Sequence, residues 1–318
     1  AGATVLGPKP THATGLTDRA AADAEVRRLA DVLWPRVQAG RSSREVLREL
    51  GVPPDFAFTA EGDAAMVNYV HRRTADADIY FVANRSKQPI SGVASFRVEG
   101  RAPELWDAVA GTRRIATNYA SEDGRTNVPI ELAASGSQFV VFRRSAAEHP
   151  STGAPNWRTL QPMHTLAGEW EVQFDPEWGG PSRTIFPELI DWTTHADAGI
   201  RYYSGTAVYR KTFDAAAGAS TLDLGRVREL AHVRLNGRSL GVLWAPPFQV
   251  EVAELLQPTG NVLEIEVVNF WANRVIGDEA LPLAERRTRT NIRSLKPNTP
   301  LMPSGLMGPV QLLRVANE

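Results

Sequence analysis

Apolar and polar residues alternate with a period of two along most of the chain after residue 66. Side chains of a strand point alternately to its two faces, so this pattern predicts strands with one buried face. Four such runs, separated by Gly, Asn and Asp clusters, predict an antiparallel β domain over residues 61–148. Eight shorter runs predict a second antiparallel domain over residues 158–318, a sandwich of the jelly-roll kind. The Pro- and Gly-rich segment 149–157 is the predicted linker.

The first 60 residues have a different pattern, because apolar residues there recur at helical spacing. One helix is predicted to begin after Asp18 and to end at Pro35. A second is predicted to begin at Ser42, where Glu45 completes a capping box. Two short helices and a strand bury too little apolar surface to fold alone. Residues 1–60 are therefore predicted to be an α/β segment, the tail of a truncated upstream domain that needs a neighbour.

Residues 237–241 read GRSLG and match G-x-S-x-G, the serine hydrolase motif in which the serine lies between a strand and a helix. The flanking residues alternate as two strands, and Asn236-Gly237 favours a two-residue hairpin turn. No helix can follow Ser239, because a Pro-Pro pair comes soon after it. The motif is therefore interpreted as a hairpin, and Ser239 as a turn residue.

Composition limits the partners of the chain. Its 318 residues carry a formal net charge of -1 and include no cysteine. A near-neutral protein has no global field that draws it to nucleic acid or to an acidic membrane, and disulfides and thiolate metal sites are excluded. No apolar run approaches the ~20 residues that span a bilayer. The histidines are scattered, so no metal site and no cofactor is predicted for this chain. The missing cysteines and the start without Met fit a periplasmic or secreted bacterial protein.

Two charged features have simple structural interpretations. Asp76 and Asp78 lack the rest of a calcium loop and are predicted to be polar residues at the edge of a strand. The segment 277–308 has no periodicity and is predicted to be a solvated or interdomain loop, because no interleaved aromatic residues offer stacking to nucleic acid. Its cations are Arg286, Arg287, Arg289, Arg293 and Lys296.

Aromatic and polar residues cluster near strand ends in the second β domain. An aromatic ring can cover the apolar C–H patch of a pyranose, while amide and guanidinium groups bind its hydroxyls. The segment Asn269–Arg274 follows a strand and carries polar groups that a core would not hold. The predicted carbohydrate-binding residues are Tyr203, Trp244, Trp271, Asn273 and Arg274, with Tyr202 beside them. For each tryptophan taken singly, packing in the core is the alternative.

Several stretches, in this order, resemble the α-L-rhamnosidases of glycoside hydrolase family 106. They read REVLRELGVPPDF, VNYVHRRTADADIYFVANRS, FRVEGRAPELWDAVAGT, YYSGTAVYRKTF, VRLNGRSLGVLWAPPFQVEV and NVLEIEVVNFWANRVIGDE. The resemblance implies that the last domain is a galactose-binding-like sandwich and that the chain corresponds to about the last third of such an enzyme. It also implies an upstream (β/α)8 barrel with two catalytic glutamates and a calcium ion, which together hydrolyse terminal rhamnose with inversion.

No stretch of these 318 residues matches that barrel, so no catalytic residue and no calcium ligand is assigned to this chain. Its expected partners are the barrel and a rhamnose-containing glycan. Three alternatives stay open: a stand-alone carbohydrate-binding module, a structural brace without a ligand, and a fragment of a family 2-type β-galactosidase or glucuronidase. Enzymes of the last type place a similar sandwich before their barrel, whereas here it follows an α/β segment.

Overall fold

The computed structural model describes residues 4–15, 17–60, 66–215, 217–291 and 294–316. The protein is mainly β, as the alternation predicts, and all neighbouring strands in its sheets are antiparallel. The α-helices of the described residues are α1 (Arg19–Leu33), α2 (Ser43–Glu49), α3 (Ala198–Arg201) and α4 (Ala272–Glu279). Of these helices, none has the length and apolar character needed to cross a membrane.

Residues 56–145 form a first sandwich of two sheets. Its strands are β1 (Phe56–Ala60), β2 (Val67–Arg73), β3 (Asp78–Asn84), β4 (Ile90–Phe96), β5 (Arg101–Asp107), β6 (Thr112–Ile115), β7 (Ala120–Glu122), β8 (Arg125–Leu132) and β9 (Ser137–Ser145). One sheet has the order β1-β4-β8-β7 and the other β2-β3-β9-β5-β6. A single core joins them, in which the ring of Phe96 lies 4.8 Å from that of Tyr80 and 5.2 Å from that of Phe142.

The four predicted runs correspond to β2, β3, β4 and β9, whereas β1 and β5–β8 lie outside them. Strand β5 escapes the pattern because Ala102, Pro103, Glu104 and Leu105 are buried one after another. Strand β1 was assigned to the α/β segment, yet it pairs with β4 along its whole length. The sheet therefore continues across the predicted boundary at residue 60.

Residues 160–315 form a second sandwich. Its strands are β10 (Leu160–Thr165), β11 (Trp170–Gln173), β12 (Thr184–Phe186), β13 (Thr206–Phe213), β14 (Thr221–Asp223), β15 (Arg226–Arg228), β16 (Leu230–Leu235), β17 (Arg238–Leu243), β18 (Gln249–Glu251), β19 (Asn261–Val268), β20 (Gly305–Gly308) and β21 (Gln311–Val315). A six-stranded sheet, β12-β11-β13-β19-β16-β17, faces a four-stranded sheet, β10-β21-β14-β18, and β15 pairs with β20. One core packs the two large sheets together, with Ile265 of the first and Leu312 of the second fully buried.

Local predictions can be compared directly with the backbone. Asn236 and Gly237 both have positive φ, 52° and 78°, and connect β16 to β17, so the hairpin interpretation is confirmed. The capping box of Ser42 and Glu45 is present at the start of α2. Asp18 precedes α1 as predicted, but its side chain makes no capping hydrogen bond, because its backbone is left-handed.

The predicted linker, residues 149–157, is packed on the first sandwich. The Asn156 side chain is buried, accepts hydrogen bonds from the backbone N–H groups of Thr117 and Asn118, and donates to the carbonyl of Pro129. Trp157 packs against the core of that sandwich. The composition of this segment is typical of a linker, but its buried amide fixes the direction in which the chain leaves the first sandwich.

Two carboxylates of the first sandwich are buried against cations. Asp78 accepts a hydrogen bond from Arg73 Nε at 2.6 Å, and its Oδ1 lies 2.9 Å from Nε2 of His71, whose Nδ1 faces Asp55. Burial opposes ionisation of Asp78, but the bonds from Arg73 and His71 outweigh it and lower its pKa. Burial also opposes ionisation of Glu104, and there the hydrogen bonds, above all from Arg143, again lower the pKa.

We expect the free energy of unfolding to fall as the pH drops below about 4. A carboxylate whose folded-state pKa is lowered stabilises the fold fully above its unfolded pKa of about 4, and this contribution is lost as the pH falls through the folded pKa. The double variant Asp78→Asn, Glu104→Gln should be less stable at about pH 7 and should show a shallower loss in acid. Urea unfolding from about pH 2 to pH 7 measures both, and parallel curves for the variant and the parent would contradict the assignment.

Candidate functional site

The predicted carbohydrate-binding residues lie near one end of the six-stranded sheet. Leu243 of β17 and Val267 of β19 are both paired with Ala231 of the intervening strand β16. Strands β17 and β19 therefore run in the same direction, two strand spacings or about 10 Å apart. The segments that begin at Trp244 and Asn269 consequently leave the sheet at the same end.

Strand β13 begins at this end as well. Its first residue, Thr206, pairs with Val268, the last residue of β19. The turn Tyr202–Gly205 before β13 therefore lies beside the segment Asn269–Arg274 after β19. This juxtaposition is tertiary, because Gly205 and Asn269, which share a hydrogen bond, are 64 positions apart in sequence.

Three aromatic side chains at this end face solvent. Trp244 is 59% exposed, Phe270 51% and Trp271 52%. Exposed tryptophan faces are the groups that stack on sugar rings, so Trp244 and Trp271 have the accessibility that the prediction requires. Phe270 was not among the predicted residues, although its place between Asn269 and Trp271 could have indicated it.

Tyr203 lies in the core instead of at the rim. Its ring is fully buried and packs edge-on against Phe174 and Trp192, 4.8 and 5.7 Å away. Its hydroxyl donates to the carbonyl of Thr206 and accepts from the backbone N–H of Asp175. Burial and two satisfied hydrogen bonds leave this side chain no surface for a ligand, so its role is structural.

Asn273 clamps the chain before β20. It is 1% exposed, donates to the carbonyl of Met302 at 2.7 Å and to Oγ of Ser304 at 3.0 Å, and accepts from the N–H of Met302 at 2.8 Å. Asn269 supports the same place, because its amide donates to Ser304 and to the carbonyl of Tyr203. The two amides hold the backbone that presents Phe270 and Trp271 to solvent.

Arg274 is buried in α4 and paired with Asp278 one turn later. Its NH2 group lies 3.0 Å from Asp278 Oδ1, and Asp278 Oδ2 accepts hydrogen bonds from the N–H and the hydroxyl of Thr288, both at 2.7 Å. Nε of Arg274 and Oδ1 of Asp278 have no well-directed hydrogen-bond partner among the described residues. Through Thr288, this buried ion pair connects the segment after α4 to the helix.

The basic segment 277–308 is partly attached to the second sandwich. Arg286 donates to Glu279 at 2.7 Å and to the carbonyl of Leu281, and Arg287 donates to the carbonyl of Glu177 at 2.6 Å. Arg289 and Lys296 are exposed, and Arg293 lies outside the described residues. The first residues of the segment, 277–279, belong to α4. Glycine at position 277 lets this helix pack directly against the ring of Tyr202, since an added Cβ would lie 2.6 Å from a carbon of that ring.

Ser239 makes a contact that the sequence did not indicate. Its Oγ lies 2.8 Å from Nε2 of His232, whose Nδ1 lies 3.3 Å from Glu266. A nucleophilic serine also needs N–H donors aimed at the oxyanion. Here the N–H of Gly241 donates instead to Oγ of Ser239 itself. The three side chains form a cross-strand row on the outer face of β17, β16 and β19, beside the ion pairs of Arg234 with Glu264 and Glu266.

No group of three or more His, Asp or Glu side chains in the described part of the chain is arranged to hold a metal ion. The two carboxylates singled out by the sequence already have partners. Asp78 is paired with cations, and Asp76 accepts from the hydroxyl of Thr74 at 2.8 Å. No chemistry of this chain is therefore assigned through the calcium ion that the resemblance implies.

Residues 1–121 match the family model of glycoside hydrolase family 106, described as alpha-L-rhamnosidase. The matched region contains α1, α2 and the strands of the first sandwich up to β6, so the likeness to family 106 in this comparison rests on the first part of the chain. It does not extend to the segments that carry Trp244 and Trp271.

Relatives extend the likeness over nearly the whole chain. The rhamnosidase from Novosphingobium sp. PP1Y superposes with a TM-score of 0.79 at 34% identity, over 98% of this chain and 31% of that enzyme. A putative beta-glucuronidase of Formosa agariphila is 22% identical over 98% of this chain and 48% of its own length. The chain thus spans from about a third to about half the length of these relatives. A β-glucuronidase of Ruminococcus gnavus overlaps 36% of this chain and 23% of its own, with a TM-score of 0.29 at 21% identity, too little to compare the folds.

Proposed function

We propose that this chain is the β-rich region of a family 106 glycoside hydrolase that releases terminal α-L-rhamnose from polysaccharides or plant glycosides. The observation that carries the proposal is the structural likeness to the Novosphingobium rhamnosidase over 98% of the chain at 34% identity. The family match of residues 1–121 supports it independently, because it rests on sequence.

The proposal divides the work between two regions. Hydrolysis with inversion needs a carboxylic acid and a carboxylate about 6.5–9.5 Å apart, on opposite sides of the glycosidic bond. We assign both groups, and the calcium ion, to a barrel outside these 318 residues. This chain then supplies a scaffold and a packing surface for the barrel. In α1 only Ala30 is buried, while Leu29, Val32 and Leu33 are exposed, which is the condition of a helix that packs on a neighbour.

The proposed packing surface of α1 can be tested at Leu33. Leu33 is 54% exposed, so Leu33→Ser should change the free energy of unfolding of the 318-residue chain by less than about 0.5 kcal/mol. In a longer protein that contains the barrel, the same change should cost about 1–2 kcal/mol, because it removes apolar contact area. Leu283→Ser, at a residue 79% exposed beside the second sandwich, is the matched control and should have no effect in either protein. Equal effects of Leu33→Ser in both would contradict the packing surface.

A stand-alone carbohydrate-binding module is the second candidate, favoured by the exposed Trp244 and Trp271 at one end of the second sandwich. In that function the two rings would stack on sugar, Asn273 and Arg274 would hold the backbone beneath Trp271, and Tyr203 would support them from the core. This candidate and the first are compatible, since a glycosidase can carry its own sugar-binding surface.

Hydrolysis of 4-nitrophenyl α-L-rhamnoside tests the proposed function. The assay compares the 318-residue chain with the full product of the reading frame that encodes it, both with calcium. We expect turnover by the full product and none by the chain. Turnover by the chain alone would place the catalytic carboxylates within these residues and contradict the division of work. Hydrolysis of an aryl β-D-glucuronide in place of the rhamnoside would favour the activity for which the Formosa relative is named.

A further inference from the structure

A groove of about 760 Å³ lies between the first and second sandwiches. Its first wall is formed by the turn after β5 and by the ends of the β8–β9 connection, together with the start of β4. Its second wall is the segment 242–247, which includes the end of β17 and the residues after it. Grooves of this size between domains are the usual place for small-molecule and oligosaccharide ligands.

Two tryptophans from different parts of the chain line this groove, Trp157 and Trp244. Trp244 is 59% exposed and comes directly after Leu243, the last residue of β17 that pairs with β16. Trp157 is half-buried, and the guanidinium of Arg114 lies 5.0 Å from its ring centroid. That contact and the core of the first sandwich hold the Trp157 ring in place, so it is a rigid surface and not a mobile one.

The polar groups of the lining are hydroxyls, amides and carboxylates. Ser91, Gln138 and Glu131 lie on the first wall, and Gln249 lies beyond the second, with its Nε2 fixed by Asp223 at 2.9 Å. Asp107 is the other carboxylate, and one of its oxygens already accepts from the turn that follows β5. No Lys or Arg is among the residues that line the groove, all of which belong to the described part of the chain.

We propose that this groove binds an uncharged oligosaccharide, with Trp244 and Trp157 as the surfaces that contact its C–H faces. Rings and hydroxyl-binding groups together match a sugar, whereas an apolar ligand would leave the carboxylates unpaired. A uronic acid is disfavoured, because its carboxylate would enter a groove whose lining includes Asp107 and Glu131 but no Lys or Arg, while the guanidinium of Arg114 is engaged with the ring of Trp157. The choice of an α-L-rhamnosyl glycan as the preferred ligand rests on the proposed function, but the groove as a site for neutral sugar does not.

Calorimetric titration of the 318-residue chain tests the groove without any turnover. The probes are an α-L-rhamnosyl disaccharide, methyl β-D-glucoside and D-glucuronate. A single shallow site binds sugar with a Kd of about 1 mM. We expect binding of the rhamnosyl disaccharide and weak or absent binding of glucuronate at the same concentrations.

Variants on both walls then locate the site. Trp244→Ala removes an exposed ring, so it should leave thermal unfolding unchanged and weaken binding about tenfold or more. Trp178→Ala is the matched control, because Trp178 is 43% exposed but does not line the groove, and it should bind like the parent. Val109→Arg, on the exposed turn of the opposite wall, should also abolish binding of the neutral sugar by filling the groove.

The proposal is overturned if Trp244→Ala and Val109→Arg bind sugar like the parent, or if Trp178→Ala loses as much affinity as they do. Preference for glucuronate, or no binding of any probe, would overturn it as well. These outcomes are separate from failure of the proposed function. If the neutral glucoside binds in the groove but the full product does not hydrolyse rhamnosides, the groove stands and the rhamnosidase assignment falls. If rhamnosides are hydrolysed but the chain binds no sugar, the rhamnosidase assignment stands and the groove proposal falls.

Discussion

Replacing Asp278 with Ala is expected to lower the free energy of unfolding by about 3–5 kcal/mol, because it leaves the guanidinium of Arg274 buried and unpaired. Asp278 is 1% exposed and Arg274 6%, so water cannot easily replace the lost partner. The substitution also removes the acceptor of both hydrogen bonds from Thr288. Chemical unfolding of the second sandwich, followed by tryptophan fluorescence, measures the change.

The double variant Arg274→Met, Asp278→Leu is the control for this prediction. Replacing both members of a buried ion pair with apolar residues of similar volume is often neutral or stabilising. We therefore expect the double variant to recover most of the stability that Asp278→Ala loses. If the double variant is as unstable as the single one, the cost lies in the contact with Thr288 and not in an unpaired charge.

A comparably large loss, about 2–5 kcal/mol, is expected for Gly305→Ala at the start of β20. Gly305 has a φ of 102°, and a Cβ built on it would lie 2.4 Å from Nε1 of Trp192. The positive φ costs an L residue about 1–2 kcal/mol, and the overlap with a ring that is itself buried adds about 1–3 kcal/mol. Trp192 cannot move aside easily, because its Nε1 donates to the hydroxyl of Tyr209 at 2.6 Å and its ring is fully buried.

Gly237→Ala separates the two causes. Gly237 also has a positive φ, 78°, but nothing lies within 4 Å of its added Cβ. Its variant should therefore lose only the conformational part, about 1–2 kcal/mol. Thermal unfolding of both variants gives the comparison, and equal losses would show that the contact with Trp192 relaxes without cost.

Secondary structure was predictable where an element buries only one of its faces, because its buried residues then alternate with more exposed ones along the sequence. The alternation in β3 and β19 reflects this condition, and so does the Asn-Gly turn after β16. Strand β5 was missed, because its consecutive burial removes the period, and its buried Glu104 forms ion pairs with Arg143 and Arg144. Those arginines come from β9, 39 and 40 positions later in the chain, so no local window contains them.

The candidate site was also predictable only in part. Residue types at strand ends indicated sugar chemistry, and the register of β16, β17 and β19 places Trp244 and Trp271 at one end of a sheet. Which aromatic side chains face solvent was not predictable. Tyr203 and Trp271 occur in similar local contexts, yet one is buried by Phe174 and Trp192 and the other is exposed.

The sequence by itself determined the β class, the hairpin at residues 236–237 and the resemblance to a family of rhamnose-cleaving enzymes, since these depend on periodicity, on turn chemistry and on residues in order along the chain. Only the tertiary structure decided that Asn273 and Arg274 are structural supports, and that Trp157 and Trp244 face one groove. Exposure and contact are properties of surfaces that meet after folding. Segments distant in sequence create them, so they leave no local pattern.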